Sequence, residues 1–439
     1  MKKHIAAFFL AIISLTTLII PICASSAQET EEDLTPPKLD KVNAAVVYNI
    51  QNDRYIYELN ADEIIYPAST VKLMTAIIAV DALGHDLSRE ITVEAVAIVG
   101  TTGNIIALRR GEVLTVEQLL YALICGGAND AANVLAYEIA GSIEAFTILM
   151  NEKAQEFGAY NTVYTNPTGM HDPAMVTTAR DTAIIATQAY NMSPICEMAT
   201  VEKYAIEKTN KAKRRIIFNK NYYYSTNIEY IYKWNIPRGL NAGYTPQGGN
   251  CIATTGTRDG LTYVVVVMGA QHDDKYIYSY TGAADLIKWA YKAYDYTNVL
   301  TTSDLICEVP VRLAGNVDYV TLFPSQNVEL YLPADVDPSK DVEFVTNLEK
   351  DYFTAPVSEG EVGGTITVIY DGENLGTYDL VTRSSVSRDN ILYVLDVVGM
   401  LTSTRAFRII VIAALLAIIG YLAVVVVMKI NRSGRNRKY

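Results

Sequence analysis

The sequence has few residues of the types that bind metal ions or build disulfide frameworks. Its 439 residues include five cysteines and four histidines. Four of the cysteines are spread widely over the body of the chain: Cys125, Cys196, Cys251 and Cys307. Their separation has no metal-ligand spacing and defines no disulfide framework. We therefore expect buried free thiols and no metal site, and we interpret His171 and His272 as surface or loop residues rather than ligands.

Positive charge is scarce in the central part of the chain. Nine of the 36 basic residues lie in the first 27 or the last 35 residues, so residues 28–404 hold 27 basic and 48 acidic side chains, a net charge of −21. Such a surface repels polyanions. We therefore expect neither nucleic acid nor anionic lipid to be a partner of this part.

The first 27 residues have the order of features of a secretory signal peptide. Lys2 and Lys3 precede an apolar run from Ile5 to Ile22, and small residues follow up to residue 27. This order predicts export. An uncleaved anchor helix is the alternative, whereas lipidation at Cys23 is disfavoured because the preceding isoleucine is bulky.

A second apolar run, residues 409–428, contains no charged residue. Twenty helical residues span roughly 30 Å, the hydrocarbon thickness of a bilayer. The tail 429–439 carries five basic residues, which favours a cytoplasmic C-terminus, although Arg405 and Arg408 on the other side weaken this bias. We expect a single-pass protein of the cell membrane whose body lies outside the cell.

Residues 28–40 have the composition of a flexible leader, and residues 41–296 that of an α/β domain. Apolar periodicity in the latter predicts strands bracketing a helical middle, which is typical of a layered α/β fold. The expected strands are 44–48, 55–59 and 262–268, and the expected helices are 69–80, 115–140, 143–157 and 279–294.

The composition changes after a polar link near residues 296–304. Short β-branched segments separated by Gly, Pro and Asp fill residues 305–385 and predict a small all-β domain. Residues 389–404 then have the pattern of a juxtamembrane helix that leads into the apolar run.

Ser69 and Lys72 form the most informative pair in the chain. A spacing of three places both side chains on one face of a helix, close enough to hydrogen-bond. Lysine can accept the serine proton if desolvation or a nearby cation lowers its pKa. On the tetrad alone, a capped surface helix is the more common explanation.

The context of this pair resembles the D-alanyl-D-alanine carboxypeptidases, which are low-molecular-mass penicillin-binding proteins. Similar blocks follow one another in the family's order over most of the chain. They are Tyr66–Ala76, Ala44–Val47, Leu59–Asp62, Gly111–Thr115, Leu119–Leu123, Asn166–Gly169, Thr178–Asp181, Ala355–Val357 and Gly363–Gly364. The resemblance implies a penicillin-binding/β-lactamase-like transpeptidase domain, a small all-β domain and a C-terminal transmembrane helix, with the body on the cell-wall side.

The resemblance also implies a reaction. Ser69 would be the nucleophile and Lys72 its general base, with Asn129 as a further catalytic residue. The backbone N–H groups of Ser69 and Tyr244 would form the oxyanion hole. The substrate would be the peptidoglycan stem peptide, β-lactams would be acylating ligands, and no metal or cofactor would be required.

Two family motifs are altered. In the Ser-x-Asn motif Asn129 is kept, but Gly127 replaces the serine whose hydroxyl helps carry a proton to the departing amine. Losing such a contact lowers the rate typically ~10²–10⁴-fold. A water in the vacated space would be the available substitute.

In the Lys-Thr-Gly motif Gly243 is kept, while Asn241 and Ala242 replace the lysine and the threonine. The site thereby loses a cation and a hydroxyl that bonds the substrate carboxylate. Removing one partner of a buried charge contact weakens binding by about 2–5 kcal/mol. Arg238 is a candidate substitute, but strand alternation places it on the opposite face from Asn241. Without the motif cation we also expect Lys72 to stay protonated more often at neutral pH.

Three functions are compatible with this mixed pattern. The first is a working D-Ala-D-Ala carboxypeptidase with weakened activity, based on Ser69, Lys72, Asn129 and Gly243. The second is a pseudoenzyme that binds peptidoglycan or acts as a scaffold, based on the altered positions 127, 241 and 242. The third is a related serine hydrolase acting on an uncharged ester or amide, because the carboxylate-binding residues are missing.

Overall fold

The structure is a computed structural model that describes residues 34–224, 232 and 237–435, with side chains described for 34–224, 232 and 239–430. The predicted signal peptide, the side chain of Arg238 and the end of the basic tail lie outside the described residues. The chain divides into two compact units, one ending at Ala290 and the other beginning at Tyr291. Each unit has its own hydrophobic core.

The first unit mixes strands and helices, which confirms the α/β class. Its strands are β1 (Ala44–Asn49), β2 (Arg54–Leu59), β3 (Glu90–Thr92), β4 (Val113–Thr115), β5 (Lys203–Ile206), β6 (Arg215–Phe218), β7 (Pro237–Thr245), β8 (Gly249–Arg258) and β9 (Leu261–Ala270). Its helices are α1 (Lys72–Leu83), α2 (Ala95–Ile98), α3 (Val116–Ile124), α4 (Asn129–Ala140), α5 (Ile143–Phe157), α6 (Ala179–Tyr190), α7 (Ser193–Thr200) and α8 (Tyr278–Ala293).

An antiparallel sheet with the strand order β2-β1-β9-β8-β7 forms the platform of this unit. All ten residues of β9 are buried, because both faces of the sheet are covered. Val264 and Val266 join the core beneath the helices. Tyr263 faces the other side, where its hydroxyl donates to the carbonyl of Ala290 in α8. The central strands are therefore apolar on both faces.

The predicted helix 115–140 is wrong as a single element. The structure breaks it into α3 and α4 at the pair Gly126-Gly127, where Gly127 has a left-handed φ of +60°. Glycine adopts this conformation without a side-chain penalty. At Gly126 a Cβ would lie 2.7 Å from the carbonyl oxygen of Ala122. The break places Asn129 at the start of α4.

The second unit is the expected β-rich domain. Its strands are β10 (Tyr294–Leu300), β11 (Cys307–Arg312), β12 (Tyr319–Pro324), β13 (Val328–Pro333), β14 (Val342–Leu348), β15 (Phe353–Thr354), β16 (Val362–Tyr370) and β17 (Glu373–Thr382), with a short helix α9 (Pro338–Asp341). One sheet has the order β14-β16-β17-β12-β11-β15, and β10 pairs with β13. The polar link expected near 296–304 is partly wrong, because β10 covers its first residues through antiparallel pairing with β13.

Two helices, α10 (Asn390–Ser403) and α11 (Arg405–Arg435), follow the β-rich domain. The segment Arg405–Ile430 is long and apolar enough to cross a membrane by length and composition. It contains the predicted run 409–428.

A buried ion pair links two segments of the first unit. The carboxylate of Glu112 is fully buried and accepts from the guanidinium of Arg215 and from the hydroxyl of Thr209. Arg215 also donates to the carbonyl of Ile106, 2.8 Å away. The pair therefore ties strand β6 to the loop that precedes β4.

We expect Glu112→Gln to lower the free energy of unfolding by about 3 kcal/mol, because it leaves a mostly buried guanidinium without its counter-charge. The matched control is Glu207→Gln. Glu207 pairs with Arg214 at 2.8 Å on the same hairpin, but both side chains are exposed. Glu207→Gln should therefore lower the free energy of unfolding by no more than about 1 kcal/mol. Denaturation of the full chain in detergent measures both changes. Equal losses in the two variants would contradict the argument.

Candidate active site

Ser69 lies in a short 3₁₀ turn, Ala68–Val71, that runs directly into α1. Lys72 is the first residue of α1, and its Nζ lies 3.2 Å from the Ser69 Oγ. The spacing of three residues therefore brings the amine and the hydroxyl within hydrogen-bonding distance. Ala68 has a φ of +49°, a conformation that is disfavoured for a residue with a side chain.

The side chain of Lys72 is almost completely buried, with 2% exposure. Its Nζ donates to the carbonyl oxygen of Thr168, 2.5 Å away. Burial lowers the pKa of Lys72 to about 7, because the charged ammonium is disfavoured away from water. Desolvation alone therefore shifts the pKa of Lys72 toward neutrality. That the missing motif lysine leaves Lys72 protonated more often stays a prediction.

The loop that carries Thr168 is organised by one side chain. The Oδ1 of Asn166 accepts from the N–H groups of Thr168 and Gly169, at 3.1 and 2.9 Å, and from the Thr168 hydroxyl at 2.7 Å. Gly169 has a φ of +77°, and a Cβ there would lie 2.0 Å from the carbonyl oxygen of Ala68. The sequence predicted no role for Thr168 in holding Lys72, because the two residues are far apart in the chain.

Strand β7 lies against the serine from the opposite side. A Cβ on Gly243 would lie 2.2 Å from the Ser69 Cβ and 2.7 Å from its Oγ, so no other residue fits without displacing the backbone. Within the described residues β7 pairs only with β8, which leaves its other edge free to face the serine. Tyr244 is 52% exposed, and its ring meets that of His272 edge-on at 5.5 Å.

The loop between α3 and α4 contributes Gly127 and Asn129. The Asn129 Nδ2 donates to the carbonyl of Thr102, and its backbone N–H donates to the carbonyl of Asn104. The Asn129 Oδ1 is buried and has no hydrogen-bond partner among the described residues. A Cβ on Gly127 would lie 3.3 Å from the Asn104 Nδ2. Asn104 therefore borders the space where the family motif has a serine, a position that no sequence motif indicated.

Most of the predicted site residues meet in one cavity of about 300 Å³. Its lining includes Ser69, Gly127, Asn129, Gly243 and Tyr244. Lys72 and Asn241 do not line it: Lys72 lies beneath the serine. Asn241 is 6% exposed, and its Oδ1 has no hydrogen-bond partner among the described residues. Its neighbour Ala242 reaches the cavity instead.

Two family models match this chain. Residues 31–272, more than half of its length, match the model described as D-alanyl-D-alanine carboxypeptidase. The chain belongs to the D-alanyl-D-alanine carboxypeptidase family. Residues 294–388 match the C-terminal domain of penicillin-binding protein 5, which confirms the expected penicillin-binding domain followed by an all-β domain.

The chain is similar in sequence to named relatives over most of its length. It is 25% identical to the D-alanyl-D-alanine carboxypeptidase DacF of Bacillus subtilis, over 88% of this chain and 95% of that protein. It is 26% identical to DacC of Escherichia coli, over 83% and 88%. The crystal structure of penicillin-binding protein 5 from Haemophilus influenzae superimposes with a TM-score of 0.57 at 23% identity, covering 81% of this chain and 99% of that one.

We expect Gly243→Ala to reduce acylation of Ser69 by at least about 100-fold, because the new methyl group must push β7 or the serine out of position. Gly260→Ala is the control. A Cβ at Gly260 meets nothing within 4 Å, although its φ is +83°, so stability falls by about 1 kcal/mol and acylation is unchanged. Rates with a labelled penicillin, together with circular dichroism, test both variants. Full acylation of folded Gly243→Ala would show that the close contact is not needed.

The pKa of Lys72 predicts how acylation depends on pH. Only the neutral amine accepts the serine proton, so the rate constant should rise with pH, reach half its maximum near pH 7 and then level off. An ordinary lysine would place this midpoint above pH 10. The measurement is the second-order acylation rate constant between pH 5.5 and 9, with circular dichroism to show that the fold persists. A rate constant that still rises about tenfold per pH unit up to pH 9 would contradict the effect of burial.

Proposed function

We propose that this family member is a serine-type D-Ala-D-Ala carboxypeptidase that removes the terminal D-alanine from peptidoglycan stem peptides through an acyl-enzyme on Ser69, with weakened activity. The observation that carries the proposal is the Lys72 amine, 3.2 Å from the Ser69 hydroxyl, with a pKa of about 7. A pseudoenzyme needs neither this contact nor a buried amine without a counter-charge.

In the proposed reaction, the Ser69 oxygen bonds to the carbonyl carbon between the two D-alanines while Lys72 takes its proton. The N–H groups of Ser69 and Tyr244 hold the oxyanion. The carbon–nitrogen bond then breaks, the nitrogen receives a proton, and D-alanine leaves. Water hydrolyses the remaining ester and restores the serine.

The altered motifs affect the later transfer of the proton and the binding of substrate. No hydroxyl at position 127 carries the proton to the departing nitrogen, so a water in the space beside Asn104 relays it. Asn241 and Ala242 supply neither the charge nor the hydroxyl of the family motif. These losses weaken turnover, whereas the nucleophile and base remain in place.

The reaction would occur at the outer surface of the cell membrane. The predicted signal peptide exports the body, and the apolar helix Arg405–Ile430 anchors it. The basic residues after this helix keep the C-terminus in the cytoplasm. The proposed domains are a leader to residue 40, a catalytic domain over 41–296, a β-rich domain over 305–385 and a juxtamembrane helix over 389–404, with β10 at the boundary paired to β13 of the β-rich domain.

The decisive experiment uses the full chain in detergent micelles with a labelled penicillin. We expect mass spectrometry to find the adduct on Ser69, and a pentapeptide ending in D-Ala-D-Ala to release D-alanine slowly. Ser69→Ala and Lys72→Met should give neither product. Absence of both adduct and release from the folded wild-type chain would favour the pseudoenzyme.

A variant that restores the family motifs shows which positions limit turnover. Asn241→Lys/Ala242→Thr should raise D-alanine release by at least about tenfold, because it restores a charge contact with the substrate. Adding Gly127→Ser returns the hydroxyl but strains the backbone, since a side chain at a φ of +60° costs roughly 1–2 kcal/mol. No gain from either variant would show that the departures do not limit the rate.

A further inference from the structure

The cavity at Ser69 has a cation on its wall although the motif lysine is missing. Among the described residues that line it, Lys220 alone carries a charge. The sequence did not single out this residue, because it belongs to no altered motif and follows an exposed hairpin. It enters the cavity from the segment after β6 rather than from β7.

The backbone of Lys220 is fixed on both sides. Its N–H donates to the carbonyl of Cys125, 3.0 Å away, directly before the Gly126-Gly127 break. The preceding Asn219 is buried and donates to the carbonyls of Ala199 and Val201, at 2.9 and 2.7 Å. The N–H of Asn221 donates back to the Asn219 Oδ1. The side chain of Lys220 therefore projects from a rigid base.

Gly127 lies directly beside the stem of Lys220. A Cβ at position 127 would lie 3.7 Å from the Lys220 Cγ and 3.9 Å from its Cβ. These are ordinary van der Waals distances, so the lysine stem lies along the cavity wall directly beside the position where the family has a serine. The ammonium group is three bonds beyond Cγ and can extend into the mouth of the cavity.

The charge of Lys220 is available to a ligand. It forms no ion pair with any acidic side chain in the part of the chain that the structure describes. The surrounding protein is strongly acidic, with a net charge of −21 over residues 28–404, and repels an anionic peptide. A cation at the cavity without a bound counter-charge attracts a carboxylate to that side.

We infer that Lys220 supplies the positive charge that Asn241 no longer provides, and that it binds the terminal carboxylate of the substrate in this cavity. The inference rests on the proposed function for the identity of the substrate. It concerns binding, however, and is testable without any turnover.

The test measures binding in a Ser69→Ala background, which removes the nucleophile. The probes are a pentapeptide ending in D-Ala-D-Ala and the same peptide with a C-terminal amide. We expect the acid to bind more tightly than the amide, and Lys220→Met to weaken binding of the acid by about 10- to 100-fold while leaving the amide unchanged. Lys220→Met keeps an unbranched apolar stem and removes only the charge.

Two further variants separate local charge from other effects. Lys203→Met changes the net charge equally at an exposed position outside the cavity, and it should leave both affinities unchanged. Lys220→Arg keeps the charge and should retain the preference for the acid. This preference should also shrink as salt is raised, because an exposed charge is screened.

Equal affinity of the Ser69→Ala chain for acid and amide would overturn the inference. So would equal weakening of both peptides in Lys220→Met, since that indicates a packing role. The proposed function has a separate readout, the penicillin adduct on Ser69 of the wild-type chain. An adduct without a preference for the acid would overturn the role of Lys220 alone.

Discussion

The burial of Lys72 is the constraint on which the candidate site depends. An ammonium group in an apolar interior is unfavourable, so the side chain favours its neutral form. The Thr168 carbonyl satisfies the amine with a hydrogen bond but brings no negative charge that would raise its pKa again. The base therefore obtains its reactivity from the core of the first unit rather than from a neighbouring cation.

The same requirement explains why glycines surround the serine. A buried base needs its neighbours in close contact, and two backbone segments approach Ser69 and its preceding residue from different directions. Gly169 lies against the Ala68 carbonyl, and Gly243 lies against the Ser69 side chain. Any side chain at either position would separate these layers and admit water to Lys72. The close packing around Ser69 and the lowered pKa of Lys72 thus depend on the same contacts.

Local patterns in the sequence predicted the hairpin of β1 and β2, helix α5 and the contact between Ser69 and Lys72, because each depends on residues that are near in the chain. Apolar periodicity alone predicted one helix across the break at Gly126-Gly127, since the apolar pattern on both sides outweighed the glycine pair, whereas the family motif implied a loop between two helices there. The environment of Lys72 and the position of Lys220 could not be predicted. Both depend on contacts between segments about a hundred residues apart, such as Lys72 with Thr168 and Lys220 with Cys125.

The proposed activation of Ser69 and the proposed binding of the substrate therefore depend on different parts of the structure. The nucleophile and base depend on burial, which involves the core around α1 and tolerates little change. Lys220, which we infer binds the substrate carboxylate, lies at the cavity wall and comes from a different segment than the motif lysine. In this chain, burial lowers the pKa of Lys72 to about 7 although the cation of the Lys-Thr-Gly motif is missing. In the proposed function, positions 241 and 242 bear on how the substrate is bound, whereas the contact between Lys72 and Ser69 is present without the motif lysine.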